Sequence, residues 1–167
     1  FVKSVKAGFQ FVKHSPPIFS SISLDLLAVL FGGAVALLPA FCKDILHVGP
    51  LGLGFLRASP FIGSAIAGVL LAYSPPLKKA GKNLLGSVAL YGLSIIAFAY
   101  SENYFLSFVM LFLSGAFDNV SVVIRSTILQ LYTPDNMRGR VSAVNALFIK
   151  SSNEIGDFES GVAAKFL

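Results

Sequence analysis

Two residues of opposite charge, Asp118 and Arg125, stand inside the apolar run YFLSFVMLFLSGAFDNVSVVIRSTILQLY, from Tyr104 to Tyr132. A mostly apolar run of more than about 18 residues reads as a membrane-spanning helix, since about 20 residues at about 1.5 Å rise cross the hydrocarbon layer. A charge near the bilayer centre costs at least about 2.5 kcal/mol on insertion scales, so it persists where it faces a partner, a cavity or water. Asp118 and Arg125 are two helical turns apart, which sets them on one face with Ser114 and Ser121. Groups of this kind offer charge pairing, proton exchange or contact with a polar substrate, and Asn119 belongs with them. Two turns is about 10.5 Å of rise, too far for a direct pair along one helix. Each therefore needs another partner, and Asp25 or an acid beyond residue 150 are the candidates for Arg125. Either Arg125 locks two helices with a structural salt bridge or it meets substrate directly.

A second polar concentration follows the turn TPDNMRGRV. Glu154 and Asp157 share a stripe with Gly161, while Asn145, Ser152, Gly156 and Glu159 share another. Three carboxylates within six residues repel one another in a low dielectric, so at least one is expected to bind or release a proton near neutral pH. Two readings stand side by side: a proton- or cation-coupling cluster, or acids paired at a cytoplasmic interface with Lys150, Arg138 or Arg140.

Enzymatic motifs are missing. His14 and His47 are isolated and give no metal-ligand spacing, and neither a G-x-S-x-G nor a P-loop pattern occurs. The single cysteine, Cys42, excludes an internal disulfide and reads as a small packing residue. No enzymatic activity, cofactor or metal is expected.

The elements that must hold these groups follow from composition and punctuation. Of 167 residues, 55% are hydrophobic and 13% charged, with a mean hydropathy of +0.78. The expectation is an all-α membrane protein, a bundle of transmembrane helices. Residues 1–17 place Val2, Val5, Phe9 and Val12 at helical spacing with Lys3, Lys6 and Lys13 between them, which predicts an amphipathic interfacial helix or linker closed by Pro16 and Pro17. About five spans follow, at 18–41, 53–73, 84–100, 104–132 and 141–167. Small residues predict close helix approach: Ala28, Gly32 and Ala36 on the first span, two stripes (Ser59, Gly63, Ala67 and Ser64, Gly68, Ala72) on the second, Gly86 and Gly92 on the third.

The net charge of +5 does not point to nucleic acid, because the basic residues collect in short segments between apolar runs. Counting loops alternately, Lys3, Lys6, Lys13, Lys78, Lys79, Lys82, Arg138 and Arg140 fall on one side, and Lys43 and Arg57 on the other. The positive-inside rule then puts the N-terminal segment, the SPPLKKAGKN loop and the TPDNMRGRV turn in the cytoplasm.

Residues Asp118 to Ala164 carry two further motifs: Gln-x-x-Thr-Pro-Asp-x-x-Arg-Gly-Arg-Val at Gln130 to Val141, and Asn-Glu-x-Gly-x-x-x-Ser-Gly at Asn153 to Gly161. Here the chain resembles the second half of major facilitator superfamily exporters, in the secretion-effector, enterobactin-exporter-like branch. The resemblance implies that the spans correspond to helices seven to eleven of a twelve-helix transporter, with the eleventh cut short and the twelfth absent. Of that superfamily's cytoplasmic loop signature, Gly68 and Gly81 remain and the Asp is missing. This leaves Asp135, Arg138, Gly139 and Arg140 as the cytoplasmic gate. The implied function is secondary-active, proton-coupled export of small amphipathic molecules such as siderophores or drugs by alternating access, in the cell inner (plasma) membrane. The implied partners are the bilayer, the missing N-terminal half and a small-molecule substrate, with no nucleic acid. The substrate or coupling residues on this reading are Asp25, Asp118, Asn119, Arg125, Asn145, Glu154, Asp157 and Glu159. The alternative is a non-transporting membrane scaffold or a transporter-derived receptor.

Overall fold

Proline and asparagine set the helix boundaries. The computed structural model describes residues 2–30, 37–73 and 79–166, and the side chains of residues 2–7, 27, 29, 30, 157, 159, 160 and 163–166 lie outside that description. Helix α1 covers Val2–His14, and α2, Pro16–Leu30, starts on a proline whose missing N–H a first turn does not need. The same device opens α3, Leu38–Asp44, with Pro39, and α4, Pro50–Ala72, with Pro50. Helix α5 is Ala80–Ala99. Helix α6, Tyr104–Tyr132, is capped by Asn103, whose Oδ1 accepts from the N–H groups of Phe105 (2.9 Å) and Leu106 (3.3 Å). A 3₁₀ turn, Asp135–Met137, leads into α7, Arg138–Phe166.

Helices α4, α5 and α6 are long and apolar enough to cross a membrane. Leu51, Phe61, Leu93 and Phe105 point outward from them, a surface suited to lipid or to further helices and not to water. The molecule is an all-α membrane bundle. Of the first expected span, α2 and α3 supply the two ends, and residues 31–36, with Gly32 and Ala36 of its small stripe, lie outside the described residues. The last expected span is one helix starting three residues early, on Arg138, and it carries too many charges to match the other three in apolarity. Residues 74–78, including Lys78, also lie outside the described residues.

Helix α6 lies at the centre, packed along its length by α4 and α5. The α4 contact is made by small residues. Gly63 meets the Phe112 carbonyl, Gly115 meets the Pro60 carbonyl, and a Cβ at either glycine would run into that backbone. Ser59 Oγ donates to the Phe108 carbonyl at 2.7 Å, and Tyr104 OH to the Gly52 carbonyl at 3.2 Å. Ser59, Gly63 and Ala67, the first of the two expected stripes on this helix, are buried, while Ala72 of the second is exposed. Without a hydrophobic drive between helices in lipid, this close backbone approach supplies the van der Waals contact that holds them.

The third span departs from expectation. Gly86 and Gly92 have open space where a Cβ would stand, so neither brings a described neighbour close. The buried face of α5 is instead Leu84, Ser87, Ser94, Ile95 and Phe98. Ser87 and Ser94 donate back to the carbonyls of Leu84 (2.9 Å) and Leu90 (2.8 Å), so each hydroxyl is satisfied inside its own helix and the side chain packs as a small residue.

Apolar clusters close both ends of the bundle. At one end Val12, Ile18, Ile22, Leu129, Val141 and Val144 pack together; at the other, Leu38, Cys42, Leu56, Phe98 and Leu111. The first cluster includes part of α1. The described part of that helix meets protein, with Val12 buried, Phe9 stacked on Phe148 at 6.1 Å between ring centroids, and Gly8 tight against the Arg140 carbonyl. Lys13 and His14 stay exposed.

Candidate functional site

Between the two apolar ends lies a polar middle. Arg125, on the third-to-last full turn of α6, pairs through Nη1 with Asp25 Oδ1 of α2, and the two side chains are 6% and 7% exposed. A buried charge without a partner carries a desolvation penalty of several kcal/mol, and the pair offsets it by presenting the surroundings with no net charge. The pair also ties α2 to α6. Of the candidates open to Arg125 on sequence grounds, the partner is Asp25.

Asp118 stands near the midpoint of α6, on the same stripe as Ser114, Ser121 and Arg125. Ser114, Ser121 and Arg125 are buried, whereas Asp118 is exposed, and no ion pair involves it among the described residues. It lies within electrostatic range of Asp25 and Arg125. Tyr91, from the middle of α5, lies in range of both carboxylates. The group of Asp25, Tyr91, Asp118 and Arg125 thus gathers three helices, two negative charges, one positive charge and one phenol. Tyr91 was not among the residues that the sequence singled out. The available signal was position, since Tyr91 alone of the five tyrosines is far from a helix end.

The remaining expected residues divide differently. Asn119 donates from Nδ2 to the Ser64 carbonyl of α4 at 2.8 Å, which commits its amide to helix packing. Asn145 has a buried Oδ1 without a hydrogen-bond partner among the described residues. Glu154 is exposed and makes no ion pair with Lys150, Arg138 or Arg140 among the described residues. The side chains of Asp157 and Glu159 lie outside the described residues, so the expected acid cluster cannot be assembled from them. At the proposed gate, Arg138 Nη2 pairs with Asp135 at 2.9 Å, within one turn and well exposed, and Arg140 Nη1 approaches Met137 Sδ at 3.5 Å. Gly139 has open space around it. Among the described residues these side chains show no hydrogen bond or ion pair beyond this turn.

A cavity of about 430 Å³ lies between α2 and α7, lined by Leu26, Leu147, Phe148, Ser151, Ser152 and Ile155. Its wall is almost wholly aliphatic and aromatic, since the Ser152 hydroxyl is committed to the Phe148 carbonyl of its own helix. Leu26 follows Asp25 in the chain, so the apolar space and the charged pair meet on α2.

A bundle of long apolar helices with a buried ion pair in its polar middle defines an integral membrane protein. The whole chain, residues 1–167, matches the transmembrane secretion effector family, and the chain belongs to it. It is similar to the enterobactin exporter EntS of Escherichia coli O1:K1 / APEC, 29% identical over 143 residues, covering 86% of this chain and 34% of that protein. The same protein from Shigella boydii serotype 18 (strain CDC 3083-94 / BS512) gives the same identity and coverage. The chain therefore spans about a third of the length of the curated relatives it matches. No solved structure gives a significant match.

Proposed function

We propose that this chain forms most of one half of a secondary-active exporter of the cell inner (plasma) membrane, which moves small amphipathic molecules outward in exchange for protons by alternating access. The reading is transport and not catalysis. The observation that carries it is the neutralised Asp25 and Arg125 pair beside an unpaired Asp118 at mid-helix. Charges at that depth are retained where a pathway or a coupling step uses them. The apolar cavity beside Asp25 supports an amphipathic substrate, and the enterobactin exporters among the relatives support the outward direction and the siderophore class. The partners on this reading are the bilayer, the helices of the other half and the substrate.

The test uses the full-length protein in inside-out vesicles. Acidifying the lumen should drive enterobactin or an amphipathic dye into it, and a protonophore should abolish that uptake. Uptake indifferent to the gradient would contradict proton coupling, and no uptake of any amphipathic probe would favour a scaffold or receptor.

A further inference from the structure

We propose that Asp118 is the group that takes up and releases the coupled proton, while Asp25 and Arg125 form a fixed pair that sets its surroundings. This rests on the proposed reading of the chain as half of a gradient-driven exporter, and it transfers the coupling role from the acids of α7 to the middle of α6.

Charge counting carries the argument. The groups around Asp118 are Asp25 on α2, Tyr91 on α5 and Arg125 on its own helix. Helix α4, packed on the other side of α6, brings no charge to this level: its one charged residue, Arg57, is exposed and precedes Ser64, the partner of Asn119, by about 10.5 Å of helix. On α5 the charged residue Lys82 is exposed and lies near the helix start, more than two turns from Tyr91. With both carboxylates ionised and the phenol neutral, the described residues of this cluster hold one uncompensated negative charge inside the bundle. One proton removes it.

Pairing decides which carboxylate takes that proton. Asp25 is buried and held by Arg125, so protonating it would leave a buried guanidinium without a counter-charge. Asp118 makes no ion pair among the described residues, so its protonation breaks none of the pairs seen here. The step is a simple transfer: a proton from water on the acidic side bonds to an Asp118 carboxylate oxygen, and on the other side of the cycle it returns to water.

Infrared spectroscopy of the full-length protein in lipid, scanned over pH, reads protonated carboxyl groups without needing the natural substrate. Expected is a carboxylic-acid carbonyl band that persists at neutral pH and titrates away on alkalinisation, is lost in Asp118→Asn, is retained at a shifted position in Asp118→Glu, and is unchanged in the loop variant Asp44→Asn. A band that survives in Asp118→Asn, or a wild-type protein with no such band, overturns the assignment. Ethidium uptake by wild-type vesicles is run in parallel. If that uptake ignores the gradient, the exporter's coupling to protons fails as a reading, whereas the infrared band still decides whether Asp118 holds a proton.

Discussion

The two faces of α6 use polar atoms in opposite ways. Toward α4 the polar contacts are closed ones: Ser59 to the Phe108 carbonyl, Asn119 to the Ser64 carbonyl, and glycines backed onto the carbonyls of Phe112 and Pro60. One residue further round, the stripe through Ser114, Asp118, Ser121 and Arg125 carries charge, reaches α2, and keeps one carboxylate open. The first face is specified by size and is static. The second is specified by charge and, on the proposed reading, contains the group that changes state. A single helix can thus be a scaffold on one side and a working surface on the other, because lipid-phase packing needs close backbones whereas exchange needs an unsatisfied charge.

The largest effect is expected where charge is removed from one side of the pair. Arg125→Ala leaves Asp25 buried and unpaired and should destabilise the full-length protein by roughly 3 to 5 kcal/mol, measured by chemical unfolding in micelles. Asp25→Asn combined with Arg125→Gln should recover most of that loss, and a double variant as unstable as the single would deny that pairing is what Arg125 provides. Next comes size on the opposite face. Gly115→Val drives side-chain atoms into the Pro60 carbonyl and should lower stability by about 1 to 3 kcal/mol or more. Asn119→Ala loses one interhelical hydrogen bond, worth about 0.6 kcal/mol by the average for such bonds in a membrane. Gly86→Ala, a glycine with no described neighbour, should shift stability by no more than about 1 kcal/mol, in the stabilising direction if helix propensity decides. A loss from Gly86→Ala as large as that from Gly115→Val would mean that α5 has a close partner on that side.

The reach of the sequence differed between these regions for physical reasons. Charges inside an apolar run demand an explanation, so Asp118 and Arg125 stood out, and the short roll of other charges narrowed the partner of Arg125 to a few acids. The stripe Ser59, Gly63, Ala67 was readable because three small residues at helical spacing are improbable on a lipid face. Gly86 and Gly92 follow no such stripe, and a lone glycine does not say whether anything stands opposite. Spacing along α7 told which acids share a face but not whether that face is covered, and Glu154 proves exposed. The amphipathic pattern of α1 was plain, yet lipid and protein are equally apolar partners, so its docking on α7 through Gly8 and Phe9 needed coordinates. Tyr91 lacked a charge to draw attention to it, and it gains meaning only when α5 brings it beside two carboxylates from other helices.

The division of α6 into a static and a working face is tested most directly by measuring proton-driven uptake of ethidium per folded molecule in vesicles of the full-length protein, for Asn119→Ala and Asp118→Asn side by side. Uptake per folded molecule should stay near wild type when Asn119 is changed and should lose its dependence on the gradient when Asp118 is changed, with the amount of folded protein equal to wild type. The reverse pattern, coupling lost with Asn119 and kept with Asp118, would contradict the account.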